Sequence, residues 1–325
     1  MIFLSELNKY IDSLSEPDMY LGIYQIEVGT DVLSNRIPGK KVDGKWQFYG
    51  AEEIIRSYMQ LKGKAIVSVK ITLDYYDGEG GGYTDQYTVS VLYNDVDVLL
   101  YNQSIENAGD FAEYRFLNVG SSAWLMPGTL LIVWFAATVQ SADAITHKRD
   151  GTTTRTEIQM AHNDCDDWPV YYSDDVEYVD ISFEEKPSFK VYMLPDYQNV
   201  EHFQFRNMFN ILDSVCFPCV VSSDPKTESE EAQQDNVMQR YNIEHQLEFS
   251  VKSPSLPMFM YERMLAFCRG RVTQRKEIIG STAVWRDIII TEYKFSKSNE
   301  PNKPISLEMK FKYADTRLNN AVIVV

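Results

Sequence analysis

Cysteine is scarce in this chain. Cys165, Cys216, Cys219 and Cys268 are the only four among 325 residues. That is too few for a disulfide-stapled scaffold and fits folding in a reducing cytoplasm. Histidine is as sparse, with His147, His162, His202 and His245, and neither H-E-x-x-H nor G-x-S-x-G accompanies them. Long apolar runs are missing too. The longest, Leu130 to Val139, covers ten residues, about half of what a membrane helix needs. It is expected to be a buried strand, and no membrane insertion is expected. The opening M-I-F-L-S-E-L-N-K-Y has no cationic leader followed by a continuous apolar core, so no signal peptide is expected either.

Positive charge is in short supply. The formal net charge is −16, unevenly spread. Residues 241–325 hold 13 Lys and Arg against 9 Asp and Glu, about +4, which leaves about −20 for residues 1–240. Nucleic-acid affinity rests on cationic contacts to phosphates, so this balance argues against a nucleic-acid-binding surface. It suits a surface over which a polyanion passes without sticking. Tyr, by contrast, is abundant at 21 residues, as suits half-buried strands and interfaces where the ring is covered and the hydroxyl wet.

Alternation dominates the pattern. Tyr241, Ile243, Leu247, Phe249 and Val251 occupy one face of a run whose other face is polar, and Ile305, Leu307, Met309, Phe311 and Tyr313 repeat the arrangement. Both read as strands with one buried face. Between them a helical pattern runs from Ser253 to Phe267, followed by two strand-like runs. Earlier, Phe3, Leu7, Tyr10, Ile11 and Leu14 predict a short helix ending before Pro17. Leu21–Val28 reads as a strand, Lys40–Gly44 as a turn, and Trp46–Tyr49 as a strand. Ile54, Ile55, Tyr58 and Met59 predict a helix. Ala65 to Tyr75 and Tyr87 to Tyr93 alternate around Asp77–Gly82, which predicts a hairpin. That glycine-rich turn lacks the Gly-Lys-Ser/Thr of a phosphate loop. Strands are further expected at Glu113–Val119, Thr129–Val139, Thr153–Met160, Glu177–Phe183 and Phe189–Met193. The polar stretch Ser222–Asn236 reads as a mobile loop. The fold class is therefore mainly β, sandwich- or jelly-roll-like with short helices. Residues 1–195 are expected to form a β-rich domain with an N-terminal helix, and residues 196–325 a β-rich α+β domain with one short helix.

Chemistry-bearing groups are few. Cys216-Phe-Pro-Cys219 has strand-like flanks rather than the helix N-terminus that stabilises a redox thiolate, and no second C-x-x-C completes a zinc site. His162-Asn-Asp-Cys-Asp-Asp167 offers hard oxygen ligands but lacks the glycine and closing glutamate of a calcium loop. Carboxylate pairs are everywhere in an acidic chain and single out no glycosidase site. No catalytic, cofactor or metal residue is assigned, and no enzyme activity or cofactor is expected.

One stretch of ordering is familiar. Phe205-Arg-Asn-Met-Phe209 leads into an apolar segment and a polar loop. The strand Gln246-Leu-Glu-Phe-Ser-Val-Lys-Ser-Pro254 follows, then Tyr261-Glu-Arg-Met-Leu265, Arg271-Val-Thr, and the closing Leu307-Glu-Met-Lys-Phe-Lys-Tyr-Ala-Asp-Thr-Arg317. Over about 120 residues this resembles the C-terminal part of tail and baseplate structural proteins, distal-tail-like in role, of phages and prophages of gut Bacteroidales. The resemblance implies a virion tail protein, made in the bacterial host cytoplasm, that forms a homo-oligomeric ring. Its partners would be other tail or baseplate proteins, with DNA passing through and not specifically bound. The competing expectation is a carbohydrate-binding β-sandwich module for host attachment, with Trp124 and Trp168 as its candidate sugar platforms, although both also fit a core.

Overall fold

A computed structural model describes residues 1–14, 21–42, 45–76, 81–95, 115–136, 141–159, 166–183, 188–194, 199–234, 237–296 and 304–315. The chain is mainly β with short helices, as the alternating runs predict.

The first sheet grows around the predicted hairpin. In chain order come β1 (Ile2–Phe3), a 3-10 turn (Leu4–Glu6), α1 (Leu7–Ser13), β2 (Leu21–Val28), β3 (Asp31–Pro38), β4 (Lys40–Val42), β5 (Lys45–Gln47), α2 (Ala51–Lys62), β6 (Ile66–Tyr76) and β7 (Gly82–Leu92). The sheet order is β1-β7-β6-β2-β3, with β4 and β5 paired separately. The stretch Lys40–Gly44, expected as a turn, is strand β4 over its described part, because Lys40–Val42 pairs with Lys45–Gln47. Val67, Val69, Ile71 and Leu73 sit two residues apart and so share a face. Leu7 and Ile11 of α1 and Ile55 and Met59 of α2 sit four apart and cover it. Gly63 ends α2 at φ +63°, a left-handed cap that closes Lys64 N onto Met59 O. Most of the expected glycine-rich turn lies outside the described residues.

The middle of the chain is a sandwich. Its strands are β8 (Arg115–Phe116), β9 (Ser122–Leu125), β10 (Leu130–Ala136), β11 (Ser141–Lys148), β12 (Thr153–Gln159), β13 (Asp166–Tyr171), β14 (Val176–Ser182) and β15 (Phe189–Met193). Sheets β13-β10-β8 and β12-β11-β14-β15-β9 share one core. Over its described part the apolar run is β10, with Leu131, Val133 and Phe135 turned inward. The strand expected over Glu113–Val119 is, where described, only β8. Phe116 meets Phe135, Phe183 and Phe189 at ring distances of 5.6, 5.4 and 5.4 Å, joining the two sheets.

The C-terminal region holds β16 (Val200–Arg206), β17 (Leu212–Pro218), β18 (Val220–Gln234), β19 (Val237–Lys252), α3 (Met260–Arg269), β20 (Thr273–Ile279), β21 (Thr282–Ser296) and β22 (Ser306–Tyr313). The sheet order is β17-β16-β20-β21-β22-β19-β18. The two alternating runs are neighbours: Phe249 pairs with Phe311, and their rings stack at 5.0 Å. Met260, Met264 and Phe267 lay α3 across the buried face. Ser222–Asn236 does not form the expected loop. Its residues through Gln234 belong to β18, paired along its length with β19. Pro225 falls in β18, an edge strand, the place in a sheet where proline is tolerated.

Three core clusters fall in successive parts of the chain. A fourth is drawn from all of them: Phe3, Ala65, Ile66 and Leu92, then Leu117 and Ala136, then Phe209 and Ile211. The domain boundary expected near Pro195 lies outside the described residues.

Candidate assembly surface

The longest elements do not stay within their sheet. β19 pairs with β22 only from Phe249 to Lys252. From Val237 to Gln246 it pairs with β18 alone among the described residues. At ~3.3 Å per residue, this two-stranded arm runs roughly 30 Å beyond its last pairing with β22. A register shift between Glu228 and Glu230 marks a bulge along it, a device that twists an edge strand. At another hairpin of the sheet, β20–β21, Ile278 is 67% exposed and Ile279 49%. Two adjacent apolar side chains at a hairpin tip do nothing for the core beneath.

Behind these surfaces the sheet is locked to the sandwich by a buried polar node. Arg263 and Asp213 form an ion pair with both side chains at most 1% exposed. Asp213 also accepts from Asn118 Nδ2 at 2.9 Å, Val119 N at 3.2 Å and Ser214 N at 2.9 Å. Arg263 donates further to Ser214 O and Val119 O. Each buried charge thus has a partner and several hydrogen bonds, the condition under which burial is tolerated. Sequence reading missed this pair. The signal was Arg263 itself, three residues after Met260 and four before Phe267, a cation on the apolar stripe of α3.

A second charged group lies where Phe249 and Phe311 meet. The Arg275 guanidinium stands 5.7 and 5.6 Å from their ring centroids and forks onto Glu201 at 2.7 and 2.8 Å. Burial works against its charge, but the Glu201 carboxylate more than compensates, and its pKa is raised. Arg286 and the Tyr313 hydroxyl engage Glu277. Both carboxylates are held by arginines, an arrangement suited to fixing strands.

The candidate residues from sequence fall apart in space. Cys216, Cys219 and Cys268 are free and buried, and burial pushes each thiol up to about 12, the reverse of what a redox or metal thiolate needs. His202 is pushed down to about 4 by burial and by Lys276. His147 stacks on Tyr178 at 4.1 Å. His245 lies in the arm opposite Thr227. In the acidic loop, residues 162–165 lie outside the described residues. Trp124 packs edge-on against Phe259 at 6.0 Å beside the C-terminal core, and Trp168 packs on the sandwich core. Neither is an open platform. Among the described residues no helix is long and apolar enough to cross a membrane.

No protein-family model matches the chain, and no curated protein matches it. Among solved structures, the plexin A4 extracellular region, domains 1 to 8, is similar over 88% of this chain and 33% of that one. The identity is 10% and the TM-score 0.20, too low to carry an argument about fold or function.

Proposed function

We propose that this chain is a structural subunit of a phage tail tip or baseplate, one that assembles into a homo-oligomeric ring and joins other tail components without catalytic turnover. The observation that carries the reading is the β18–β19 arm. A two-stranded ribbon is marginal in water on its own, and the outer edge of β18 is a row of backbone groups ready to pair. An arm of this length is therefore best stabilised by a neighbour, through strand addition or by lying across its sheet. The exposed Ile278 and Ile279 supply a second, apolar contact. The ordering of Phe205–Phe209, the Gln246–Pro254 strand and the closing strand supports the tail assignment specifically, since it resembles that of phage tail proteins. The packing of Trp124 and Trp168 against cores weighs against the sugar-binding alternative.

The test is the mass and shape of the purified chain in solution, by light scattering and negative-stain microscopy. The full chain should form closed rings. A variant in which residues 226–246 are replaced by Asn-Gly should fold and run as a monomer. A full chain that stays monomeric at the highest concentration reached would overturn the assembly reading. So would an arm-less variant that still forms rings.

A further inference from the structure

In a chain of net charge −16, three arginines converge on one small cleft. Arg206, Arg269 and Arg271 line a space of about 60 Å3 between the end of β7 and the C-terminal end of α3, and Asp95 is the one acidic residue in its wall. Met208, Leu265 and Ala266 supply an apolar floor. The arginines are placed by buried Asn210, whose backbone is left-handed at φ +60°. Its side-chain amide donates to Met59 O at 2.7 Å and Lys64 O at 3.1 Å, tying it to the end of α2. Its own carbonyl accepts Arg206 Nη1 at 2.8 Å, and its Oδ1 accepts Arg271 Nη2 at 3.3 Å. One residue thus draws two guanidiniums together.

The carboxylate nearby does not neutralise them. Asp95 Oδ1 takes the Tyr93 hydroxyl at 3.0 Å, and the group is shared between Arg56 at 3.5 Å and Arg271 at 3.6 Å. Arg56 and Arg271 both lie against the Tyr93 ring, at 5.4 and 5.0 Å. Arg206 makes no ion pair among the described residues. Its guanidinium is pressed against Gly63, where an added Cβ would come within 2.8 Å of Nη2. Burial and the charge of Arg271 both lower its pKa, the signature of a cation short of a counter-charge. The C-terminal end of α3 faces the same space and carries about half a negative charge. Set against three formal positive charges and one carboxylate, it does not change the sign.

We propose that this cleft binds one small oxyanion, held by the guanidiniums of Arg206 and Arg271 with Arg269 beside them. Guanidinium forks match the geometry of carboxylate, phosphate and sulfate alike. The space between the arginines accommodates one such group. The ligand is therefore either a free inorganic anion or a carboxylate presented by a neighbouring copy of this chain. The inference stands whether or not the chain forms rings.

Inorganic phosphate and sulfate, titrated into the full chain at constant ionic strength with chloride as the balancing salt, should raise the melting temperature saturably. Arg206→Gln keeps an amide donor for Asn210 O but removes the charge. It should weaken phosphate binding about tenfold or more, the scale of one charge-assisted hydrogen bond. A measurement on the unmodified protein guards against misfolded variants. Phosphate should protect Arg206 and Arg271 from phenylglyoxal, read by peptide mass spectrometry, and leave exposed Arg155 reactive. Phosphate binding that leaves the oligomeric state unchanged assigns the site to a free anion. Binding that dissociates the oligomer assigns it to a carboxylate of the adjoining copy. A response equal to that of chloride, or equal protection of Arg155 and Arg206, would overturn the proposal.

Discussion

At the scale of single residues, two buried groups make opposite demands. Arg263 and Asp213 form an ion pair sealed from water. Arg263→Met leaves a carboxylate with no countercharge at a site at most 1% exposed, and the expected loss is about 3–5 kcal/mol. The double variant Arg263→Met/Asp213→Asn removes both charges, keeps one acceptor oxygen for Ser214 N and Asn118 Nδ2 at the cost of the bond from Val119 N, and should recover part of that loss. Urea titration of both checks it, and a double variant no more stable than the single one would place the energy elsewhere. His202 is held neutral. Its Nδ1 has no hydrogen-bond partner among the described residues, its ring meets Trp285 edge-on at 5.1 Å, and Lys276 adds a like charge. Its pKa is about 4 in the fold against 6.5 for the free side chain, so the unfolded chain binds the extra proton. The resulting stability is whole above pH 6.5 and is lost as the pH falls from there toward 4. Between pH 7 and 5 the drop attributable to this group is up to about 2 kcal/mol. His202→Gln should flatten that part of the pH profile of the urea midpoint, and an unchanged profile would show that the group is not buried neutral.

Among elements, the alternating strands, β19 of the arm among them, were legible and β18 was not, for one physical reason. Phe249 and Phe311 sit on a face that a core covers, and burial writes itself into sequence as a period of two. Phe249→Asp or Phe311→Asp therefore puts a carboxylate and a cavity into the packed face under α3, beside an Arg275 already taken up by Glu201, and should cost several kcal/mol. Melting unchanged from the parent in both would refute the face assignment. Ser222 to Gln234 leaves no such trace, since Ser, Glu and Gln follow one another without alternation and the strand is set by hairpin pairing to β19. Pairings decided by packing were equally silent. β9 beside β15 and β1 beside β7 are parallel contacts between distant segments, and nothing in either short run announces its partner. The cleft of Arg206 and Arg271 was not legible. Phe205-Arg-Asn-Met-Phe209 and Arg271-Val-Thr stood out in the sequence only as parts of a resemblance. Their meeting depends on the left-handed turn at Asn210.

For the whole molecule, the charge is the testable property. If rings enclose a passage for DNA, their inner wall should be net negative, because a cationic wall would hold phosphates by counterion release and stall transit. About −20 over residues 1–240 supplies that sign. Cryo-electron microscopy of the assembly settles it by the charges that face the channel, and a wall dominated by Lys and Arg, or an assembly with no channel, would remove this account of the acidity. The core shared by all three parts of the chain bears on something else, the order in which the protein is made. Phe3, Ala65, Ile66 and Leu92 leave the ribosome early, and Phe209 and Ile211, which cover them, follow more than a hundred residues later. At ~5–20 residues per second, the growing chain carries an open apolar seam for roughly ten seconds. The nascent first sheet is expected to need chaperone cover in that interval, and translation halted between Leu92 and Phe209 would yield an aggregation-prone fragment.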